Sequence, residues 1–218
     1  MLHLVRSGAF PKRHSRLDHL VIVAPTLAAG ARYVEERLGV ALQPGGQHAR
    51  MGTHNLLLGL GDGYLEVIAP DPDAPPPTRP RWFELDELAP DAAPRLAHWV
   101  AGTQGLAQAD AHLTRTFGRI ESMSRGALAW QISIHADGQL PLGGVLPSLI
   151  DWGDARHPAA GLIDQGCRLQ RLELRHPDAA RLGQQLEAIG FSGPVAVLPG
   201  ERPGLLAYLE TPTGLKTL

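Results

Sequence analysis

The stretch that decides the fold is Leu17-Asp18-His19-Leu20-Val21-Ile22-Val23, which is rich in the branched apolar residues that form β-strands. A similar stretch begins at Leu96, where Leu-Ala-His-Trp-Val aligns with Leu17–Val21 without a gap and places His98 on His19. A third and fainter copy begins at Leu169. Self-similarity at a long period indicates one supersecondary unit that is used several times and that needs partners to bury its apolar face.

Each copy is followed by a pattern of one helix and further strands. In the first copy, Thr26 is a predicted helix N-cap and Gly39 a predicted helix end. The other elements predicted here are a short strand at 40–43, a flexible turn at Pro44, and strands at 53–60 and 64–69 that residues 61–63 join as a hairpin. The sequence therefore predicts an α+β protein built from repeated β-α-β-β-β units.

Composition divides the chain into six segments. The run from Asp71 to Arg81 contains five prolines and is predicted to be a stiff connector. The predicted segments are a loose basic arm (1–15), the first unit (16–70), a Pro-rich connector (71–93), the second unit (94–153), a second connector (154–167) and a third unit (168–218). The third unit is predicted to be truncated, because the chain stops where its fourth strand would begin.

Bulk properties exclude several classes of protein. The 218 residues carry a formal net charge of −2, so neither nucleic acid nor a membrane is an expected partner. The single cysteine, Cys167, excludes an internal disulfide framework and fits a reducing compartment. No apolar run is long enough to cross a bilayer, and the first residues lack the apolar core of a secretory signal. We therefore expect a soluble cytoplasmic protein.

The motifs of the first unit resemble a known superfamily. Residues 18–21 on the first strand and 64–68 on the last strand are similar to the vicinal oxygen chelate superfamily, which includes glyoxalase I, extradiol dioxygenases, and fosfomycin and bleomycin resistance proteins. More narrowly, residues 52–55, 60–66 and 150–153 resemble a bacterial glyoxalase-like domain. The resemblance spans nearly the whole chain from Arg16. It implies that two units form a curved mixed sheet shaped like a cup, with a third, partial unit beside it.

The resemblance also implies a metal site in the cup. By position, His19 and Glu66 match the ligands of the first unit, and His98 would be a third ligand from the second unit. Imidazole and carboxylate groups suit a divalent ion such as Zn²⁺, Mn²⁺, Fe²⁺ or Ni²⁺. The second unit has no Glu in the register of a fourth ligand. The alternatives are a hydrogen-bonded His19–Glu66 pair without metal, and a half-buried His98 beside Trp99.

Four further residues are candidates for contact with a substrate. His54, at a strand entry, is a candidate acid–base group together with Glu66, and the adjacent Asn55 could orient a substrate oxygen. Arg125 could clamp a carboxylate with its fork of donors, and Trp152 could form a pocket wall. The alternatives are a local turn for Asn55, an exposed hairpin position for Arg125 and core packing for Trp152.

Two hypotheses of different classes follow from the resemblance. The first is a metal-dependent enzyme, either a lyase/isomerase or a dioxygenase, in which the ion binds adjacent oxygens of a small substrate and stabilises an enolate or oxyanion. The second is a metal-free cup that binds a small hydrophobic or aromatic ligand, as resistance-type relatives do. Because three units leave one without an internal partner, the third is predicted to pack on the outside or to pair across the two-fold axis of a homodimer.

Overall fold

The computed structural model describes residues 14–218, so most of the predicted basic arm (1–15) lies outside the described residues. The described strands form two sheets, one of nine strands and one of four. Within residues 14–218, no helix is both long enough and apolar enough to span a membrane. The architecture is a mixed α+β fold, in agreement with the sequence prediction.

The first two units follow the same element order. The first contains β1 (Ser15–Val23), α1 (Leu27–Leu38), β2 (Gln43–His48), β3 (Thr53–Gly59) and β4 (Tyr64–Pro70). The second contains β5 (Arg95–Gly102), α2 (Ala111–Phe117), β6 (Arg119–Arg125), β7 (Leu128–Ile134) and β8 (Ser148–Asp151). Their strands form one sheet in the order β2-β3-β4-β1-β5-β8-β7-β6, in which β1 and β5 meet antiparallel at the centre. Because the edge strands β2 and β6 contact each other, the sheet curls into the predicted cup.

Strand β2 differs from the prediction. The sequence predicts a strand at 40–43 and a turn at Pro44, whereas β2 begins at Gln43 and continues through Pro44 to His48. The strand lies at the edge of the sheet, and its register against β3 shifts between Pro44 and Gln47. An edge strand tolerates proline and an irregular register because one of its sides needs no ladder hydrogen bonds.

The third unit forms the smaller sheet. It contains β9 (Arg168–His176), α3 (Ala179–Ala188), β10 (Phe191–Ser192), β11 (Val195–Pro199), β12 (Gly204–Thr211) and β13 (Gly214–Thr217). The strand order is β11-β9-β12-β13, so β9 is an interior strand, whereas β1 and β5 each end the four strands of their own unit. The predicted missing strand is present as β13, which a turn at residues 212–213 brings back against β12, and its first residue, Gly214, has a φ of 101°.

The third unit packs on the outer face of the cup, which is one of the two placements predicted from the sequence. Trp99 of β5 makes an edge-to-face contact with Phe191, with ring centroids 5.1 Å apart. Leu172 of β9 and Leu182 of α3 belong to the same buried cluster as Trp99. The short strand β10 also pairs with the start of β1. This outer core supports the strands from behind and leaves the concave face free for a site.

Helix α1 approaches the sheet closely at Gly30. A Cβ atom at this position would overlap Cγ1 of Val67 and lie 3.1 Å from Cβ of Ala24. We therefore expect Gly30→Ala to lower the free energy of unfolding by about 1–3 kcal/mol, because overpacking outweighs the gain in helix propensity. Urea denaturation measures the change.

Gly183 in α3 is the matched control, because a Cβ there would meet no atom within 4 Å. Gly183→Ala should raise the free energy of unfolding by about 0.5–1 kcal/mol through helix propensity alone. Equal effects of the two substitutions would contradict the close packing of α1 on β4.

Candidate active site

The concave face of the large sheet contains a small cavity. Its walls are largely aromatic and are formed by Trp82, Phe83, Trp130 and Trp152. Its polar lining comes from both units and consists of His19, His48, Asn55, Tyr64, Glu66 and Arg125. A concave, mostly apolar site with a few convergent polar groups is the usual form of a small-molecule site.

The position of His19 depends on a bulge in β1. In the pairing with β5, Leu17 lies opposite Ala101 and His19 opposite Val100, so Asp18 is an extra residue between them. The bulge allows adjacent side chains to meet, and His19 Nδ1 donates a hydrogen bond to Asp18 Oδ1 at 2.7 Å. With Nδ1 directed at Asp18, the other ring nitrogen, Nε2, is the atom that approaches Glu66.

Glu66 is the second member of the central pair. Its Oε2 lies 3.7 Å from His19 Nε2, which is too long for a hydrogen bond but close enough for both atoms to contact one bound group. Its Oε1 accepts a hydrogen bond from Asn55 Nδ2 at 2.5 Å. Each member of the pair is thus held on one side by a buried neighbour, and one atom of each remains for chemistry.

Arg125 connects the second unit to this pair through Asn55. Its Nη1 donates to Asn55 Oδ1 at 3.2 Å, and the backbone N–H of Gly46 donates to the same oxygen at 2.7 Å. Gly46 is required here because an added Cβ would lie 2.5 Å from Arg125 Cδ. The glycines of β2 therefore let an arginine from the opposite edge of the sheet reach into the cup.

Asp18 accepts two more hydrogen bonds through its other oxygen. Trp152 Nε1 donates to Oδ2 at 2.9 Å, and His157 Nε2 lies 3.1 Å from the same atom. Burial alone would raise the pKa of Asp18, but the hydrogen bonds with His157 and His19 outweigh it and hold the pKa far below its usual value. Asp18 is therefore an ionised carboxylate beneath His19.

His48 and Tyr64 complete the lining as neutral groups. Burial lowers the pKa of His48 to about 3, with a smaller contribution from the positive charge of Arg125. Its Nδ1 lies 3.1 Å from Thr53 Oγ1. Tyr64 stacks on His19, with ring centroids 4.5 Å apart, and burial raises the pKa of its hydroxyl well above the usual value.

The structure does not bring His98 into the cavity. Its Nδ1 lies 3.0 Å from the carbonyl oxygen of Gly144, and its Nε2 accepts a hydrogen bond from the backbone N–H of Ser148 at 3.0 Å. The ring of Phe83 covers it, with centroids 5.2 Å apart. Both ring nitrogens therefore have protein partners, in the manner of a core histidine.

The other predicted residues divide into two groups. Asn55, Arg125 and Trp152 line the cavity with Glu66 and His19, as their predicted roles require. His54 does not line it, because adjacent residues of a strand point to opposite faces and Asn55 takes the inner one. Instead, His54 Nδ1 lies 3.8 Å from Asp71 Oδ1 at the end of the sheet.

The donor set does not fit the predicted metal centre. Catalytic zinc sites usually have three protein ligands, and structural sites have four. Residues 14–218 contain no group of three His, Cys, Asp or Glu side chains arranged to hold a metal ion. His19 and Glu66 face each other, but both nitrogens of His98 are engaged elsewhere. The His19–Glu66–His98 site predicted from the resemblance is therefore not formed.

Sequence reasoning missed Asp18, His48 and His157 as parts of the site. A histidine before a proline predicts a turn, and nothing local in the sequence indicates that His157 reaches a carboxylate 139 positions away. In a regular strand, Asp18 would point to the face opposite that of His19. Its contact with the His19 side chain could therefore be predicted only with knowledge of the bulge. Trp82 and Phe83 lie in the predicted connector, where no periodic pattern marks a wall residue.

The two paired β-α-β-β-β units and the cup between them place the chain in the vicinal oxygen chelate superfamily. Its sequence also matches the model of the Glyoxalase-like domain family over residues 17–190, and the chain belongs to this family. The match covers both units of the cup and continues through β9 and α3. None of the curated proteins compared with the chain matches its sequence.

Several solved structures are similar to the chain at low sequence identity. A hypothetical protein from Staphylococcus aureus has a TM-score of 0.57 and 12% identity, over 87% of this chain and 87% of that chain. A methylmalonyl-CoA epimerase variant from Streptomyces coelicolor, in complex with 2-nitronate-propionyl-CoA, has a TM-score of 0.42 and 20% identity, over 64% of this chain and 98% of that chain. The epimerase from Mycobacterium tuberculosis has a TM-score of 0.43 and 19% identity, over 63% and 87%.

Proposed function

We propose that the chain is an enzyme that binds a small anionic, oxygenated molecule in the cup and transfers a proton on it, as a lyase or isomerase does. The observation that carries this proposal is the His19–Glu66 pair, in which Nε2 and Oε2 face each other at 3.7 Å beside an aromatic-walled cavity. Two such atoms, too far apart to hydrogen-bond to each other, can both contact one substrate group.

Glu66 is the proposed base. Asn55 holds its Oε1, so Oε2 accepts the proton from a carbon next to a carbonyl group. Glu66 then passes this proton to His19, whose Nε2 carries no hydrogen in the orientation set by Asp18, and His19 returns it to the substrate oxygen or carbon. Positioned acid–base groups of this kind accelerate proton transfer by about 10²–10⁴-fold.

Arg125 is the proposed anchor for the anionic end of the substrate. It is half-buried in the cavity wall rather than exposed on a hairpin. One of its N–H groups is engaged by Asn55. A guanidinium group has five donors in a planar fork, and the others can bind a carboxylate. Trp130 and Trp152, whose rings contact each other with centroids 5.3 Å apart, would form one wall against the apolar part of the molecule.

The second candidate is the metal-free binding module. The aromatic walls and the closed environment of His98 favour it over the metal-dependent lyase or dioxygenase, since the donor set for a divalent ion is incomplete. No step of the proposed proton transfer passes through a metal. The homodimer, with the small sheet as its pairing surface, and the cytoplasmic location stay predictions.

A proton-exchange screen tests the proposed function. Protein treated with a chelator, and checked for metal content by elemental analysis, is incubated in D₂O with a panel of small 2-oxo and 2-hydroxy carboxylic acids. We expect at least one acid to lose the ¹H NMR signal of the carbon-bound hydrogen next to its carbonyl group, at a rate that chelation does not change.

Two results would contradict the proposal. Binding without exchange for every acid, detected by saturation transfer, would support the binding module. Exchange that stops after chelation and returns with Zn²⁺, Mn²⁺, Fe²⁺ or Ni²⁺ would restore the metal-dependent hypothesis.

A further inference from the structure

We infer that Trp152 and His157 are positioning residues, which act through Asp18 to fix the orientation and tautomer of His19. The end of the second unit and the connector that follows it would thereby orient the acid–base group of the first unit. This inference rests on the proposed function for its catalytic consequence, but its geometric part stands on the hydrogen bonds alone.

The carboxylate of Asp18 is the centre of the arrangement. It is buried, at 5% exposure, and it contacts nitrogen atoms of three different rings. Oδ1 is 2.7 Å from His19 Nδ1, while Oδ2 is 2.9 Å from Trp152 Nε1 and 3.1 Å from His157 Nε2. Since an indole nitrogen is only a donor and an ionised carboxylate only an acceptor, the direction of the Trp152 bond is fixed.

The local structure around His157 also fixes its tautomer. The residue is the N-cap of a short 3-10 helix over Pro158–Gly161, and its Nδ1 accepts a hydrogen bond from the backbone N–H of Ala159 at 3.3 Å. In a neutral imidazole the second nitrogen then carries the hydrogen, so Nε2 donates to Asp18. Pro158 suits the first position of such a helix because its φ is fixed and it has no N–H to satisfy.

The consequence is a carboxylate that cannot rotate. With Oδ2 held by Trp152 and His157, only Oδ1 is directed at His19, and it can accept only from an N–H. His19 is therefore kept with hydrogen on Nδ1 and with Nε2 towards Glu66. Without the two donors, the buried carboxylate can turn and the other tautomer of His19 becomes populated.

Neighbouring rings restrict the same groups. Tyr64 stacks on His19 and also lies 5.7 Å from the ring of His157. Trp152 contacts His157 edge-to-face at 5.7 Å. Substitutions must therefore keep most of the side-chain volume and remove only the donor, which Trp152→Phe and His157→Leu do. His157→Gln is the conservative variant, because its amide N–H₂ group can donate to Asp18 in place of Nε2.

The test measures the tautomer of His19 directly. Protein labelled with ¹⁵N-histidine is studied by NMR without substrate, and the signals of His19 are assigned by their loss in His19→Gln. We expect the wild type to show the Nδ1–H form. Trp152→Phe/His157→Leu should move the ring nitrogen signals towards a mixture of tautomers, and Trp152→Phe/His157→Gln should restore most of the wild-type pattern.

Kinetics provide the second readout. In the exchange assay, the Trp152→Phe/His157→Leu variant, which lacks both donors to Asp18, is expected to lower kcat by about tenfold or more with KM changed less than about threefold. Unchanged His19 signals in a folded Trp152→Phe/His157→Leu protein would overturn the inference. If the double variant does not fold, the single variants decide the question. A correct tautomer shift without exchange activity in the wild type would contradict the proposed function alone.

Discussion

Glu66→Gln is expected to lower the rate of proton exchange on the bound acid by about 10³-fold, and to leave the dissociation constant within about threefold. The amide oxygen of glutamine can still accept the hydrogen bond that Asn55 Nδ2 donates, so the side chain keeps its place. It cannot accept a proton from carbon, so the chemistry is lost while the pocket is kept. Proton exchange by ¹H NMR and binding by calorimetry measure the two effects.

Glu36→Gln is the matched control, because Glu36 is exposed on α1 and its substitution changes the net charge equally. It should leave both rate and affinity unchanged. A Glu66→Gln variant that keeps more than a tenth of the wild-type rate would place the base elsewhere. A parallel loss of rate and affinity would assign Glu66 to binding alone.

The His19–Glu66 pair could be predicted from the resemblance to the vicinal oxygen chelate superfamily, and the strand register explains why the two side chains meet. In the parallel pairing of β1 with β4, His19 lies opposite Tyr64 and Val21 opposite Glu66, so residues two apart on each strand share one face. The two-unit fold could be predicted from the sequence itself. The repeat of the Leu17–Val23 stretch at Leu96 indicates two equivalent units, and their first strands are those that meet at the centre of the sheet.

The partners of this pair could not be predicted, because they depend on irregular backbone and on distant contacts. Asp18 reaches His19 through a bulge that no residue type marks. Arg125 reaches Asn55 because the edge strands β2 and β6 come together when the sheet curls. His157 reaches Asp18 from a connector. Each contact is decided by tertiary packing rather than by local propensity.

His98 shows the limit of reasoning from a repeat. It occupies the position of His19 in the second unit, yet its surroundings differ. Phe83 covers it, and both Phe83 and the following Glu84 have positive φ, at 60° and 56°, where non-glycine residues rarely lie. A connector held in this conformation fills the half of the cup that would otherwise expose His98, so equivalent positions in the two units have different roles.

His98→Asn is expected to make the stability of the protein less sensitive to acid. Burial lowers the pKa of folded His98 to about 3, as it does for His48. In the unfolded chain the pKa of a histidine is about 6.5, so the unfolded state binds more protons as the pH falls below that value. The stability from each neutral histidine is thus complete above pH 6.5 and decreases as the pH falls towards 3.

The size of the effect follows from the difference between the two pKa values. At pH 5 each buried histidine lowers the free energy of unfolding by about 2 kcal/mol relative to pH 7, so the wild type should lose about 4 kcal/mol from His48 and His98 together. His98→Asn should lose only about half of this. At pH 7 the free energy of unfolding of the variant should be about 1–3 kcal/mol lower than that of the wild type, since Asn cannot form both hydrogen bonds that His98 forms with Gly144 and Ser148.

Urea denaturation between pH 7 and 5 measures this difference, and His112→Asn, on the exposed face of α2, controls for the loss of one histidine. The same pH dependence in wild type and His98→Asn would mean that His98 takes up a proton in the folded state. A protonated ring has no lone pair on Nε2 to accept the hydrogen bond from the backbone N–H of Ser148. That hydrogen bond, which excludes His98 from the predicted metal site, would then be absent. This one measurement therefore tests both the stability of the second unit and the exclusion of His98 from the chemistry of the cup.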